Sequence, residues 1–178
     1  MNRTTLQYIL GYLIGGLLIL ILIPGGFYLA SRLVDHHIGI QLIPISGLRI
    51  AVAVILLLFG LLFGIWSIVV QNTVGEGGPL EIAGIEVSPK TKNLVVTGPY
   101  RYTRNPMLFG ACVFYYAFAI YLNSVIALFI AILFTAFMLI FVIPIEERRL
   151  LKDFGSDYED YRQRVSMFVP WWQKHPGS

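Results

Sequence analysis

The chain has 178 residues, of which 57% are hydrophobic and only 13% charged, against roughly 25% charged in an average soluble domain. Such a composition excludes an ordinary water-soluble globule. Thirteen Lys plus Arg against ten Asp plus Glu leave a net charge of +3 with no long basic cluster, so nucleic acid is excluded as a partner as well.

No Asp, Glu, Lys or Arg occurs from Thr4 to Ser31, from Ile50 to Gly75 or from Asn105 to Ile145. A bilayer core takes about 20 apolar residues as a helix, so the first two blocks each predict one span, near Tyr8 to Leu29 and Leu48 to Val70. The first block runs on to Phe27 and Tyr28 without a small-x-small cleavage site, which argues for a retained helix over a signal peptide. Asp35, His36 and His37 follow it, but adjacent histidines lack the one-turn spacing of metal ligands, so no metal site is predicted.

The connector from Gln71 to Arg104 is too long and too punctuated for a minimal loop. Gly75, Gly77, Gly78 and Pro79 mark an early turn. Leu94, Val95 and Val96 predict a short extended segment on the membrane face before the Gly98-Pro99 turn. Asn105 suits a helix N-cap and Pro106 the first helical position. The same pair also suits a ligand contact, and the residues alone leave both readings open.

The third apolar block is too long for one span, and its polar break at Asn123 and Ser124 predicts a tight turn between helices from Pro106 to Leu122 and from Val125 to Ile145. Cys112, the only cysteine, lies inside the first of these and reads as a packing residue. After Ile145 the chain turns to Glu146-Glu147-Arg148-Arg149. Leu151, Phe154, Tyr158, Tyr161 and Val165 then form one helical stripe opposite Lys152, Asp153, Asp160, Arg162 and Gln163, which predicts a C-terminal amphipathic helix that Gly155 can interrupt. Trp171 and Trp172 fit an interfacial anchor.

The expected fold is therefore an all-α polytopic membrane bundle. It has four transmembrane helices, a cytoplasmic loop and a C-terminal amphipathic helix, in a single domain spanning residues 1–178. With four spans, the amino end, the long loop and the tail share one side, and that side holds eleven of the thirteen Lys and Arg, all but Arg32 and Arg49. Basic residues near spans stay on the cytoplasmic side, so both termini are expected there. The third helix starts and the fourth ends at that boundary, which puts Asn105 and Glu146 at similar depth, next to Tyr100, Tyr102 and Arg104. This junction is either a ligand pocket or a rim of salt bridges joining Glu146 and Glu147 to nearby arginines.

The stretch from Lys92 to Met107, with Gly98-Pro99-Tyr100-Arg101-Tyr102 and Arg104-Asn105-Pro106, then Glu146-Glu147, then Phe154-Gly155-x-x-Tyr158-x-x-Tyr161, resembles the isoprenylcysteine carboxyl methyltransferase and phospholipid methyltransferase superfamily. Gly75-Glu76-Gly77-Gly78-Pro79 is similar to a Gly-rich turn of its prokaryotic members, so the motif-bearing part runs from about residue 75 to 170. The resemblance implies an integral membrane enzyme that uses S-adenosylmethionine and methylates a lipophilic acceptor, a carboxylate or amine of a lipid or lipidated substrate. Carried over residue by residue, it implies cofactor contacts at Lys92, Asn93, Leu94, Val95, Tyr100, Asn105, Pro106, Leu108 and Glu146. Glu147 is implied beside them, and on chemical grounds it is the better candidate to take the proton if the acceptor is an amine.

Lys92 and Leu108 depart from the family's common His and Tyr. Val142 stands where the eukaryotic enzymes carry the arginine that serves prenylcysteine, which argues against that substrate. Methyl transfer from an activated sulfonium needs in-line placement and exclusion of water more than strong acid-base groups, and the sparse set of chemical side chains agrees. Gly75-x-Gly77-Gly78 follows a membrane span instead of a strand, so it is no dinucleotide-binding turn. Two other readings stand beside methyl transfer: a nicotinamide-dependent reductase resembling the carboxyl-terminal part of sterol reductases, and a non-enzymatic subunit binding a partner or anionic lipid through its basic loop and tail.

Overall fold

The computed structural model describes residues 3–77, 81–82, 85–86 and 91–171. Their regular structure is helical apart from one antiparallel hairpin of two-residue strands, β1 (Glu81–Ile82) and β2 (Ile85–Glu86). The first apolar block forms α1 (Arg3–Leu17) and α2 (Ile23–Ile38), joined by a π-helical turn at Leu18–Leu22. The second forms α3 (Ser46–Val74). The third divides into α4 (Pro106–Leu122) and α5 (Val125–Phe137), and a second π turn at Met138–Val142 leads into α6 (Ile143–Phe154), followed by α7 (Ser156–Arg164).

Both π turns come just before a proline, Pro24 and Pro144, each near the start of the next helix. A proline has no N–H for the carbonyl four residues back and its ring crowds that carbonyl. Widening the preceding turn keeps the helix continuous across that defect.

Among the described residues, three helical stretches are long and apolar enough to cross a bilayer: Ile9–Asp35, Ser46–Val74 and Val125–Phe154. The fourth apolar helix, Pro106–Leu122, has 17 residues. At 1.5 Å per residue it is about 25 Å long, a little short of a hydrocarbon core of about 30 Å.

The turn expected at Asn123 and Ser124 is present. Asn123 takes the left-handed conformation that ends α4, and the Ser124 hydroxyl accepts from Ala127 N–H at 2.9 Å to cap α5. Asparagine tolerates this conformation better than other side-chain-bearing residues. On the same face, Asn123 Oδ1 accepts from Ile43 N–H and Asp35 Oδ1 from Ile126 N–H, which ties the first connector and α2 to the start of α5.

The bundle is packed by small residues and aromatic rings. A Cβ at Gly110 would lie 2.8 Å from the Gly60 carbonyl oxygen and from Gly64 N, and one at Gly60 would lie 2.8 Å from the Gly110 carbonyl oxygen. The α3 and α4 backbones therefore touch at a glycine crossing, the close approach that packs helices where apolar burial gives no net drive. Phe27, Tyr115, Ala119, Ala127 and Ala131 form the buried centre of α2, α4 and α5. The Tyr115 hydroxyl donates to the Ile19 carbonyl in the first π turn, and Thr135 meets Tyr116, the Ala131 carbonyl and buried Cys112.

One expectation needs correction. The amphipathic segment does not begin as a separate helix after Ile145: Glu146 to Phe154 continue the helical stretch that starts at Val125, and only α7 is separate. Gly155, at φ 54°, makes the break. Charge at a membrane exit moves a helix into water without interrupting its hydrogen bonds, whereas an N–H to carbonyl ladder does end at a positive-φ glycine. Leu94 to Val96 pair with no strand, and Val95 is buried while Val96 is exposed.

Candidate functional site

The end of α3, the loop from Thr91 to Asn105, the start of α4 and the α6–α7 pair converge on one cavity of about 170 Å³. A water needs only about 10–15 Å³ on such a measure, so this space holds a ligand of many heavy atoms. Around it stand Asn93, Leu94, Val95, Tyr100, Asn105, Pro106, Leu108, Glu146 and Glu147, nine of the ten residues expected at the site.

The tenth, Lys92, does not border the cavity. Its side chain is 71% exposed and its Nζ lies 3.0 Å from Glu76. Its backbone nevertheless helps to build the wall, because Lys92 N–H and Asn93 N–H both donate to the Gly75 carbonyl, at 2.8 and 3.2 Å. That is the use of the early glycine turn: a Cβ at Gly77 would lie 2.5 Å from Thr91 Oγ1 and 2.6 Å from Thr91 Cα. Only a residue without one lets the loop close against the end of α3. Gly78 and Pro79, expected in the same turn, lie outside the described residues, as does Trp172. Trp171 is 70% exposed.

The aromatic wall comes from two places. Tyr100 lies in a short 3₁₀ turn, Gly98–Arg101, and donates its hydroxyl to Gln71 Oε1 at 2.6 Å. Gln71 in turn donates to Thr91 Oγ1. The stripe expected on the terminal helices supplies Phe154, Tyr158 and Tyr161, and Tyr161 donates to the Tyr100 carbonyl at 2.7 Å. Burial pushes the hydroxyls of Tyr100, Tyr158 and Tyr161 above the ordinary tyrosine range, with a further push from neighbouring tyrosine and glutamate side chains. All three are neutral donors at physiological pH. Tyr102 does not border the cavity.

The two carboxylates have different settings. Glu147 is 15% exposed, and its Oε1 lies 2.7 Å from Nη2 of Arg104, itself 10% exposed. Glu146 lines the cavity and keeps 43% of its side chain accessible, with Arg149 Nη2 3.7 Å away. The junction is thus both alternatives at once, a pocket whose rim is salt-bridged. Glu146 is the more available carboxylate and Glu147 the more firmly held.

Asn105 departs from its expected capping role. No side-chain cap bond is made at α4. Its Nδ2 instead donates to the Met167 carbonyl at 2.8 Å, and its backbone N–H is taken by Thr103 Oγ1. A capping asparagine presents its oxygen to the next N–H groups. Here the amide is turned toward the tail, because the Met167 carbonyl sits beside it.

Gln71 and Thr91 are cavity residues that the motif reading missed. The available signal was Gln71-Asn72 directly after an apolar run, where polar side chains close the apolar part of α3.

A helical membrane bundle with a polar, aromatic-walled cavity at the shared end of its last helices is the class these features define. A family model for phospholipid methyltransferase matches residues 48–157, more than half of the chain, and the chain belongs to that family. Its likeness to curated proteins is more local. It is 37% identical over 76 residues to a methanethiol S-methyltransferase of Mycobacterium tuberculosis, covering 43% of this chain and 30% of that protein. It is 36% identical over 72 residues to methanethiol S-methyltransferase 1 of Bradyrhizobium diazoefficiens, covering 40% and 24%. The matched stretches thus span less than a third of these relatives.

Among solved structures, a eukaryotic intramembrane Ras methyltransferase, isoprenylcysteine carboxyl methyltransferase, superposes with a TM-score of 0.55 at 19% identity, over 96% of this chain and 54% of that one. That likeness is one of fold. Together these findings favour methyl transfer over the reductase and subunit readings.

Proposed function

We propose that this chain is a membrane methyltransferase that uses S-adenosylmethionine and methylates a lipophilic acceptor, a carboxylate or amine carried by a lipid or lipidated substrate. The observation that carries the reading is the cavity itself, where four aromatic side chains and two carboxylates surround one space beside the start of α4. Those groups fit the donor's chemistry. Aromatic faces and carboxylates favour a sulfonium and an ammonium, and the free amides at a helix N-terminus favour a carboxylate. When bound, S-adenosylmethionine supplies a methyl group already activated by its positive sulfur.

The protein's part is then to bind, orient and keep out water. Glu146 holds the donor's ammonium or ribose hydroxyls, and Tyr100 offers a ring to its positive charge. Asn93, Leu94 and Val95 line one side of it, with the Lys92 main chain behind them. Asn105, Pro106 and Leu108 close the other side at the head of α4. Glu147, its rotamer fixed by Arg104, takes the proton from an amine acceptor, while a carboxylate acceptor needs no base.

The named activity of the bacterial relatives favours a second acceptor class, a small thiol, which the same donor site would serve. In either case we read α4 as a fourth span and place both termini, the long loop and the tail in the cytoplasm, as one domain over residues 1–178.

The test gives membranes containing the protein methyl-labelled S-adenosylmethionine. Base-labile label in lipid or protein identifies a carboxyl ester, base-stable lipid label an N-methylated headgroup, and volatile label on addition of an alkanethiol a thioether. Label in none of these, with all three acceptors present, refutes the reading. Glu146→Ala is expected to weaken binding of S-adenosylmethionine, and unchanged binding in the folded variant would remove its assigned role. A reporter active only outside the cell, fused after Ser178, should stay silent.

A further inference from the structure

The segment after α7 has no place in the proposed chemistry, yet it makes a dense set of bonds to the cavity loop. The Ser166 carbonyl accepts from Arg104 N–H at 2.9 Å, and Trp171 N–H donates to the Tyr102 carbonyl at 3.0 Å. The Met167 carbonyl accepts from both the Thr103 hydroxyl, at 3.3 Å, and Asn105 Nδ2, at 2.8 Å. Just before the segment, the Arg162 carbonyl accepts from Arg104 Nη1 at 2.6 Å. Phe168 packs edge-on against Phe109 at 5.6 Å, and Phe109 in turn packs against Phe63 of α3 at 5.4 Å.

These contacts form a pattern. Tyr102 to Asn105 is the short link between the 3₁₀ turn that carries Tyr100 and the first turn of α4. It has no regular secondary structure of its own: the N–H groups of Tyr102 and Thr103 turn back to the Pro99 carbonyl, while the Tyr102 carbonyl, the Arg104 N–H and the Thr103 and Asn105 side chains are met from the tail. Buried backbone groups of this kind cost free energy when unpaired, so the tail supplies what a neighbouring strand or helix would.

We propose that residues 166–171 are a positioning strap: they set the spacing between Tyr100 and the head of α4, and through it the fit of the methyl donor. The proposal rests on the donor-site reading above. The strap residues do not border the cavity, so they act through Tyr100, Asn105 and Pro106. Its anchors are the backbone pairing at Tyr102 and Arg104, the double acceptance at the Met167 carbonyl, and the Phe168 ring seated on α4.

The test uses the full chain in detergent or nanodiscs and reads equilibrium binding of S-adenosylmethionine by calorimetry, with hydrogen exchange of the backbone amides at residues 102–107 as a second readout. Trp171→Pro removes the N–H that Tyr102 accepts, while Trp171→Phe keeps it, and the Trp171 side chain is largely exposed. One lost hydrogen bond to a fixed loop corresponds to about a fivefold change in affinity. We therefore expect Trp171→Pro to bind about fivefold more weakly and to exchange faster at residues 102–107, and Trp171→Phe to match the parent. Phe168→Ala should weaken binding in the same way without loss of helical content, and Phe168→Leu should restore it.

Unchanged affinity in both Trp171→Pro and Phe168→Ala overturns the strap. So does equal loss in Trp171→Phe and Trp171→Pro, because the backbone bond would then not be the agent. If the parent protein itself fails to bind S-adenosylmethionine, the donor-site reading has failed, an outcome distinct from a strap variant that binds as the parent does.

Discussion

The buried pair between Arg104 and Glu147 gives the sharpest quantitative test of the site. Nη2 and Oε1 are 2.7 Å apart, and the two side chains are only 10% and 15% exposed. Replacing Glu147 by Gln keeps the shape and removes the charge, leaving the guanidinium in a poorly solvated setting. Breaking a buried pair costs about 3–5 kcal/mol. Arg104 keeps its bond to the Arg162 carbonyl, so a loss of about 2–3 kcal/mol is expected. Arg104→Met should lose a similar amount.

The double variant leaves neither charge unpaired, so its loss should fall short of the sum by about 1.5–3 kcal/mol. The assay is reversible unfolding in mixed micelles of the four proteins, read by far-ultraviolet circular dichroism with no cofactor present. A coupling below about 0.5 kcal/mol, the level of an exposed surface pair, would refute a structural ion pair. It would leave Glu147 with at most a chemical role.

Other expectations follow from single contacts. Tyr100→Phe removes the donor to Gln71, a bond worth about 1 kcal/mol; calorimetry should then show S-adenosylmethionine binding weakened about fivefold. Gly110→Ala drives a Cβ into the α3 backbone, and overpacking of this kind costs about 1–3 kcal/mol, so the melting temperature in detergent should fall. Burial raises the hydroxyls of Tyr100, Tyr158 and Tyr161 above their ordinary value of 10.0, and the folded chain therefore holds these protons more tightly than the unfolded chain. The resulting stability is intact below pH 10 and is lost as pH rises beyond it; a tyrosinate absorbance titration should show these three ionising after the exposed tyrosines. Cys112 is 1% exposed, so a maleimide should label it only after unfolding.

The spans were legible because charge is expensive in hydrocarbon and its absence is visible in one dimension. The turn at Asn123-Ser124 was legible because its two residues have local reasons to be there, a left-handed asparagine and a capping serine. The π turns were not read. Leu18–Leu22 and Met138–Val142 are apolar like their surroundings, and the only signal was a proline shortly after each, at Pro24 and Pro144. The fate of Asn105 was out of reach for another reason. Local rules make it a cap, and a carbonyl some sixty residues later, at Met167, claims its amide. Lys92 went the same way, since its partner Glu76 is brought near only when the loop folds back on the Gly75 carbonyl.

The cavity draws on residue 71, residues 91–108 and residues 146–161, and the family match covers all of these but Tyr158 and Tyr161, because it ends at residue 157. The strap lies past that end. The donor's chemistry needs the loop and the carboxylates, but holding them in register needs partners for the Tyr102 carbonyl and the Arg104 N–H between Tyr100 and Pro106, and here the tail supplies them. The rings of Phe63, Phe109 and Phe168 carry that register from α3 through α4 to the tail. The membrane bundle and the strap therefore fix opposite sides of one loop. A change in either should register first as a change in donor affinity, ahead of any change in which acceptor is used, and comparing Trp171→Pro with Gly110→Ala on the same binding isotherm puts both to one measurement.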